Sequence, residues 1–326
     1  MGETILVRLP DGSWGVVDHY TSSPEPAADS PALAYLRSRG VDSLRFFCWT
    51  HPDDDHSRGV RALLARFPDK IDSIWLFDGV HNERLLAALD ADLRKRYAKK
   101  KPSYYLALYG ELKRRLKSTR YEYVNANAPL LDLGEVKISG LAPSPEMKDR
   151  FNEKLARLFA ATGVEIDRRV QYHNDISSAL LIEYGAARVV LGGDVTALGW
   201  ENSWPRVATR NGPSVLVKAS HHGSEHSYFE TAWNTWESKT AARPTTIVVT
   251  PFKRVPLPSE EGLKLLSRHG QVYTTGAKTP DHFPAGPGWS FLSTFAKPHS
   301  TTPPSGSAHF RVEVNPDGKI VDQAWL

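Results

Sequence analysis

The sequence predicts an α/β protein on three observations. Apolar runs of strand length alternate with stretches of helical spacing, the chain opens on a hairpin signature, and three of the predicted strands end on histidine or aspartate. Strands show a period of two or a short apolar run and helices a period near 3.6, so the alternation sets the class. The ligand-type residues at strand ends set the chemistry.

In chain order, TILVRL and SWGVVD straddle PDG, a hairpin signal because Asp-Gly accepts the positive φ of a tight turn. SPALAYLRSRG has helical spacing and a closing Gly40, and SLRFFCW is a continuous apolar run ending on THPDDDH. SRGVRALLARF follows as a helix and IDSIWLF as a second buried strand. His51 to His56 therefore sit on a loop between strand and helix, where side chains converge on a rigid scaffold. Residues 81–128 read as a mostly helical, basic insertion interrupted near Pro102. Beyond it come the strand LGEVKISGLAPS, a helix around Glu146 to Leu158, and the strands SSALLIEYG, ARVVLGGD and PSVLVKASHHGS. A helix near Phe229 to Glu237, the strand TTIVVTP, the helix SEEGLKLLSRHG and the strands QVYTTG and HFRVEV complete the pattern, with Gly276 to Gly306 as loop.

Composition narrows the class further. With 326 residues, 40% of them hydrophobic and 24% charged, the chain reads as a soluble globular protein that can bury one large core or two modest ones. No stretch approaches the ~18 consecutive apolar residues of a membrane span, and MGETILVRLPDGSW lacks the basic and apolar regions of a secretory signal. A cytoplasmic protein with no membrane partner is the expectation. The single Cys48 excludes an intramolecular disulfide and a Cys-rich zinc module, and on a buried strand it reads as a small apolar side chain. Any metal must be held by histidine and carboxylate.

Those residue types are abundant at three strand ends: His51, Asp53, Asp55 and His56 in THPDDDH, Asp194 in LGGD, and His221 and His222 in KASHHGS. Imidazole and carboxylate are zinc ligands at about 2.0 to 2.2 Å, and strand ends on one sheet edge meet in space though distant in sequence. Six or more such ligands are enough for two ions with open positions.

This pattern resembles the metallo-β-lactamase superfamily. The form HPDDDH with KASHHGS resembles the subgroup that includes the soluble hydrolase domain of the competence protein ComEC; ILVRLPDGSWGVVD, NDISSALLIEYGAARVVLGGD and EEGLKLLSRHGQVYTTG match as well. The resemblance covers most of the chain outside residues 81–128 and 145–170. It implies a single domain over residues 1–326, a four-layer αββα sandwich with the basic insertion inside it and two divalent ions, zinc or manganese, along one sheet edge. His51 and Asp53 would bind the first ion, Asp55, His56 and His221 the second, and Asp194 would bridge them. His173, in HNDISS, ranks as a further ligand with Asn174 beside it. The chemistry implied is attack by a hydroxide activated between the two ions. Asp55 would orient it and accept its proton, and His222 and Ser224 would contact the charge developing on the substrate.

The basic character lies in one place. Between Arg94 and Arg120 the chain carries net +10, so the remainder carries −6. Arg94, Lys95, Arg96, Lys99, Lys100, Lys101, Lys113, Arg114, Arg115 and Lys117 are interleaved with Tyr97, Tyr104, Tyr105 and Tyr109. Cations combined with stacking rings hold single-stranded nucleic acid without sequence preference, and a solvated helix face is the plainer reading. The expected function is a metal-dependent phosphodiesterase, a nuclease acting on nucleic acid, single-stranded in preference. The alternatives are a hydrolase of a small ester, lactone or nucleotide, and a non-enzymatic module that binds nucleic acid or a partner protein. His226, His269, His282, His299 and His309 read as surface or loop residues, and His19 as a neighbour of the site.

Overall fold

The computed structural model describes residues 2–22, 30–79, 85–87, 90, 104–160, 172–238, 244–252, 256–275 and 310–325. Arg94, Lys95, Arg96, Tyr97, Lys99, Lys100, Lys101, His282, His299 and His309 lie outside the described residues.

Two mixed sheets form the centre. The first has the order β1(Ile5–Arg8), β2(Trp14–Val17), β3(Leu44–Trp49), β4(Ile71–Leu76), β5(Arg120–Tyr123). Its first pair is the predicted hairpin, and from β2 onward it is parallel. The second sheet comprises β6(Pro129–Asp132), β7(Val136–Ala142), β8(Ala179–Tyr184), β9(Ala187–Leu191), β10(Leu216–Lys218), β11(Thr245–Val249) and β12(Gly270–Thr274), neighbours in that order. It is antiparallel up to β9 and parallel from β9 to β12.

The apolar runs read as strands because both of their faces are covered. Along β3, Phe46 and Cys48 enter the core between the two sheets, whereas Phe47 and Trp49 enter a core under helices. Ile74, Trp75 and Leu76 alternate in the same way, and so do Leu180, Leu181 and Ile182 in the second sheet. Successive side chains of a strand point to opposite faces, so a strand buried on both faces has no polar positions to spare. Phe46 and Trp75 stack between the sheets with centroids 4.1 Å apart.

Helices close both outer faces. Against the first sheet pack α1(Pro31–Ser38), α3(Val60–Arg66), α4(Tyr104–Arg115) and α5(Pro145–Ala160), the one-turn helix α2(Asp54–Ser57) lying between α1 and α3 in the chain. Against the second pack α6(Ala197–Val207), α7(Glu230–Trp236) and α8(Glu260–Ser267), through Trp200, Trp233, Trp236 and Leu266. Helices, sheet, sheet, helices is the four-layer αββα order. Ser30, Thr196 and Ser259 each cap a helix start by accepting a backbone N–H, as small hydroxyl residues do. A hairpin, β13(Phe310–Val314) and β14(Ile320–Trp325), is tied to β12 by Phe310 stacked on Tyr273. Among the described residues no helix is long and apolar enough to cross a membrane.

The described part of the insertion is structural on one face. Tyr104, Tyr105, Leu108 and Leu112 of α4 are buried in the outer core, and the Tyr104 hydroxyl donates to the Ser57 carbonyl at 2.5 Å. Burial pushes both tyrosine hydroxyls up from their ordinary pKa. The rings expected to stack on nucleic acid are therefore core residues at these two positions. The C-terminal part of the same stretch is not helical: Arg120–Tyr123 is β5, paired in parallel with β4. The sequence reading also missed α6, whose Gly199 and Pro205 break helical periodicity.

Gly262 shows how tightly α8 is seated. A Cβ there would stand 2.1 Å from the Gly223 carbonyl oxygen, in the turn that follows His221 and His222. Gly262→Ala is expected to destabilise the protein by about 1 to 3 kcal/mol through overpacking, read as a lower denaturant midpoint at unchanged slope.

Candidate metal centre

The C-terminal ends of β2, β3, β9 and β10 deliver polar side chains to one edge of the sandwich. After β3, the segment from Thr50 to Asp53 leads into α2, with Asp53 at the N-cap position in extended backbone. An N-cap aspartate usually accepts a backbone N–H; Asp53 makes no such bond. Its Oδ1 instead lies 2.5 Å from His173 Nε2, and its Oδ2 3.6 Å from His51 Nε2. After β9, Gly193 takes φ +50° and a Cβ on it would meet the Ser178 carbonyl at 2.3 Å, so only glycine lets the chain turn there and present Asp194. After β10, His221 and His222 both adopt left-handed backbone, with φ of 47° and 55°. Such conformations cost non-glycine residues of order 1 to 3 kcal/mol each and persist where surroundings enforce them. Here Trp200 Nε1 donates to Ser220 Oγ, Ser227 Oγ donates to the Ser220 carbonyl, and the His221 N–H donates to Gly193.

Two donor clusters result, sharing Asp194. In one, His51 Nε2 lies 3.6 Å from Asp53 Oδ2 and 3.7 Å from Asp194 Oδ2. In the other, His56 Nε2 is 3.5 Å from Asp55 Oδ2 and 3.4 Å from Asp194 Oδ1, and His222 Nε2 is 3.0 Å from Asp55 Oδ2 and 3.6 Å from Asp194 Oδ2. Ligands at about 2.0 to 2.2 Å from one tetrahedral ion stand about 3.3 Å apart. Most of these separations are too long for hydrogen bonds and right for donors around a shared ion.

The outer contacts point each imidazole the same way. Asp18 accepts from the Thr50 N–H at 2.8 Å and the Thr50 hydroxyl at 2.6 Å, and lies 2.6 Å from His56 Nδ1. A carboxylate only accepts, so His56 Nδ1 carries the proton and Nε2 offers its lone pair. The Thr250 carbonyl does the same for His222 at 2.9 Å, while Phe252 stacks on that ring with centroids 5.1 Å apart. His51 Nδ1 faces Thr50 Oγ1 at 3.0 Å and Ser177 Oγ at 3.3 Å, and Ser177 Oγ also accepts the Asp194 N–H.

Electrostatics select for a cation. Burial alone would raise Asp53 and Asp194, but His173 and His51 for the first, and His222 and His56 for the second, hold both well below the usual carboxylate range. Burial lowers His56 and His222, yet Asp194 and Asp55 outweigh it and both are raised. His221 goes the other way, lowered by burial. His51 Nε2, His56 Nε2, Asp55 Oδ2 and Asp194 Oδ1 are buried without a well-aligned hydrogen bond. Buried polar atoms left so are rare and costly unless a ligand completes them. Four such atoms in two adjoining clusters, all nitrogen and oxygen, fit a divalent metal ion.

Of the residues expected from sequence, His51, Asp53, Asp55, His56, Asp194 and His173 come together. His222 joins Asp55 and His56 in the second cluster, whereas His221 Nε2 lies 3.4 Å from Asn174 Nδ2. Ser224 Oγ accepts the His226 N–H and caps the short turn over Glu225–Ser227. Lys113, Arg114 and Lys117 are exposed; Arg115 is half-buried, donating to the Leu64 carbonyl at 2.8 Å and to Glu111 at 3.2 Å. His269 is not a surface residue: it is buried between the Tyr228 hydroxyl at 2.7 Å and Glu237 at 2.9 Å. His19 is buried outside the ligand clusters, 3.2 Å from Ser30 Oγ, with burial lowering its pKa to about 4. Sequence reasoning missed Asp18, Thr50, Ser177 and Thr250. Asp18 carried one signal, a buried-strand end leading to an aspartate.

Comparison with known proteins adds likenesses of structure. Zn(2+)-bound PqqB from Methylobacterium extorquens is 10% identical over 66% of this chain, with a TM-score of 0.36; the chain spans 58% of that protein. The metallo-beta-lactamase fold protein YhfI from Bacillus subtilis is 13% identical over 80% of this chain and 83% of its own, with a TM-score of 0.38. Tm1679, described as a metal-dependent hydrolase of the beta-lactamase superfamily, is 15% identical over 80% of this chain and 85% of its own, with a TM-score of 0.39. No protein-family model and no curated protein matches the sequence.

Three substitutions separate the roles. Asp18→Asn, which keeps shape but makes the acceptor beside His56 ambiguous, is expected to weaken metal binding about 10- to 100-fold in competition with a chelator. His222→Ala is expected to remove one metal equivalent and His221→Ala to retain both, by elemental analysis of the purified, metal-loaded variants.

Proposed function

We propose that this protein is a metal-dependent hydrolase of phosphodiesters, acting on nucleic acid. The observation that carries the reading is the pair of His/Asp clusters meeting at Asp194, each with buried nitrogen or oxygen atoms that lack a well-aligned hydrogen bond. His51, Asp53 and His173 would hold one ion, Asp55, His56 and His222 the other, with Asp194 common to both. Two divalent ions, when bound, supply an acidified water and polarisation of a phosphoryl oxygen. The chain's own residues do the rest. Asp18, Thr50 and Thr250 hold the imidazoles in one tautomer. Asp55 Oδ2 faces this cluster, 3.0 Å from His222 Nε2 and 3.5 Å from His56 Nε2, and Asp55 would there orient the attacking water and accept its proton. Burial raises the Asp55 pKa, but His56 and His222 more than offset this and lower it, which suits an orienting acceptor better than a strong base. Phe252, beside His222, excludes water from one flank.

Phosphodiester as substrate rests on charge. Lys113 and Arg114 project from α4 and Lys117 from the turn after it, and the N-terminal tyrosine of α4 is bonded to the residue after His56. A second reading, a hydrolase of a small ester, lactone or nucleotide, is favoured by the burial of Tyr104 and Tyr105, which removes two of the rings that would stack on single strands.

Metal-stripped protein given Zn²⁺ or Mn²⁺ is expected to cleave labelled single-stranded nucleic acid faster than double-stranded, with Asp55→Ala folded and inactive. Replacing Lys113, Arg114 and Lys117 together with Glu should lower polynucleotide kcat/KM at least about tenfold and spare a small phosphodiester chromogen. Turnover of the chromogen alone, with no cleavage of DNA or RNA, would favour the small-substrate reading.

A further inference from the structure

Glu3 and Lys218 form a buried ion pair that joins the two sheets beside the candidate metal centre. Glu3 precedes β1 and Lys218 ends β10; Glu3 Oε2 lies 2.6 Å from Lys218 Nζ, and the two side chains are 2% and 5% exposed. Stability gives little reason to keep such a pair. Desolvating two charges costs about as much as their attraction returns, and well-packed apolar residues of similar volume are often as stable or more so.

The backbone at either end gives a better reason. The Glu3 N–H donates to the Asp55 carbonyl at 2.9 Å. Gly2 lies flat on the same turn: a Cβ there would stand 2.4 Å from the Asp55 oxygen and 2.3 Å from the Tyr20 ring. At the other end, Lys218 Nζ donates to the Ala219 carbonyl at 3.0 Å, at the start of the segment that carries His222. Asp55 follows β3 of the first sheet and His222 follows β10 of the second, and their carboxylate and imidazole stand 3.0 Å apart. An apolar contact is non-directional and would not fix that spacing. A charge pair of defined reach does.

The geometry points to Glu3 and Lys218 as positioning residues for the Asp55, His56 and His222 cluster, setting the two sheet edges at the separation at which those three side chains share one divalent cation. This rests on the metal-centre reading above. It also gives the N-terminal residues a role that the ligand motifs do not contain.

Cobalt(II) titration of the metal-stripped full chain, followed by visible absorption and chelator competition, tests it. The wild type is expected to take two equivalents. Glu3→Gln combined with Lys218→Met removes both charges at similar volume; its fold is checked by circular dichroism and melting. In that variant one equivalent should bind as in the wild type, the other at least about tenfold more weakly with an altered cobalt spectrum. The reversed pair, Glu3→Lys with Lys218→Glu, should recover the lost equivalent. A folded neutral variant that binds both equivalents with wild-type affinity and spectrum would overturn the inference, as would equal weakening of both. If the double variant does not fold, Glu3→Gln alone is read by the same criteria. A wild type that takes fewer than two equivalents would instead defeat the dinuclear reading, and this inference with it.

Discussion

The carboxylate of Asp194, buried where the two donor clusters meet, is the constraint that the surrounding structure serves. A carboxylate removed from water needs compensating charge on every side. His51, His56 and His222 approach it within 3.7 Å, each from a different point in the chain. Bringing them there requires that β3, β9 and β10 end at one edge, which parallel pairing of β9 with β10 and the packing of Phe46 and Cys48 of β3 with Leu180 and Leu191 of the second sheet provide. It also requires tight turns at those ends. Gly193 supplies one without strain, while His221 and His222 supply another with it, held by Trp200 and Ser227.

This explains what was legible in the sequence. β3 and β4 could be read because burial on both faces leaves an unbroken apolar run, and the ligand loop because four of its donors are nearly contiguous. The four-layer order followed from the resemblance, and the alternation of Phe46, Phe47, Cys48 and Trp49 between two cores bears it out. Asp18 was not legible as a site residue. It lies 33 residues before His51 and becomes its neighbour only when Val17 pairs with Cys48 across β2 and β3. The choice between His221 and His222 was illegible for another reason. Adjacent residues differ in direction only through φ and ψ, and a turn in which both are left-handed has no sequence signature beyond the glycine after it. The polar edge strand β5 and the helix α6 failed the periodicity test outright.

The basic insertion shows how a charge pattern can hide an amphipathic helix. Counting cations and tyrosines from Tyr104 onward merges two faces of α4 that the fold separates. Tyr104, Tyr105, Leu108 and Leu112 recur at helical spacing and go into the core, and Lys113, Arg114 and Lys117 are left at the far end in solvent. Tyr104 and Tyr105, two of the tyrosines that looked like a stacking platform, anchor the helix instead, Tyr104 to the carbonyl of Ser57.

That anchoring limits what the exposed cations can do for a reaction at the metal edge. Lys113 is nine residues from Tyr104 along α4, a rise of about 14 Å at 1.5 Å per residue. Exposed charges interact weakly beyond the Debye length of about 8 Å at physiological salt. Cations at that distance cannot offset charge developing on a reacting phosphoryl group; they can gather a polyanion and raise its rate of encounter. On the proposed reading, capture and chemistry would fall to different parts of the molecule, the first to a salt-sensitive surface and the second to a buried cluster that salt does not reach. A substrate too small to touch both would be handled by the cluster alone, so a dependence on salt that grows with substrate length is the physical signature that separates a nuclease from a small-molecule hydrolase on this fold.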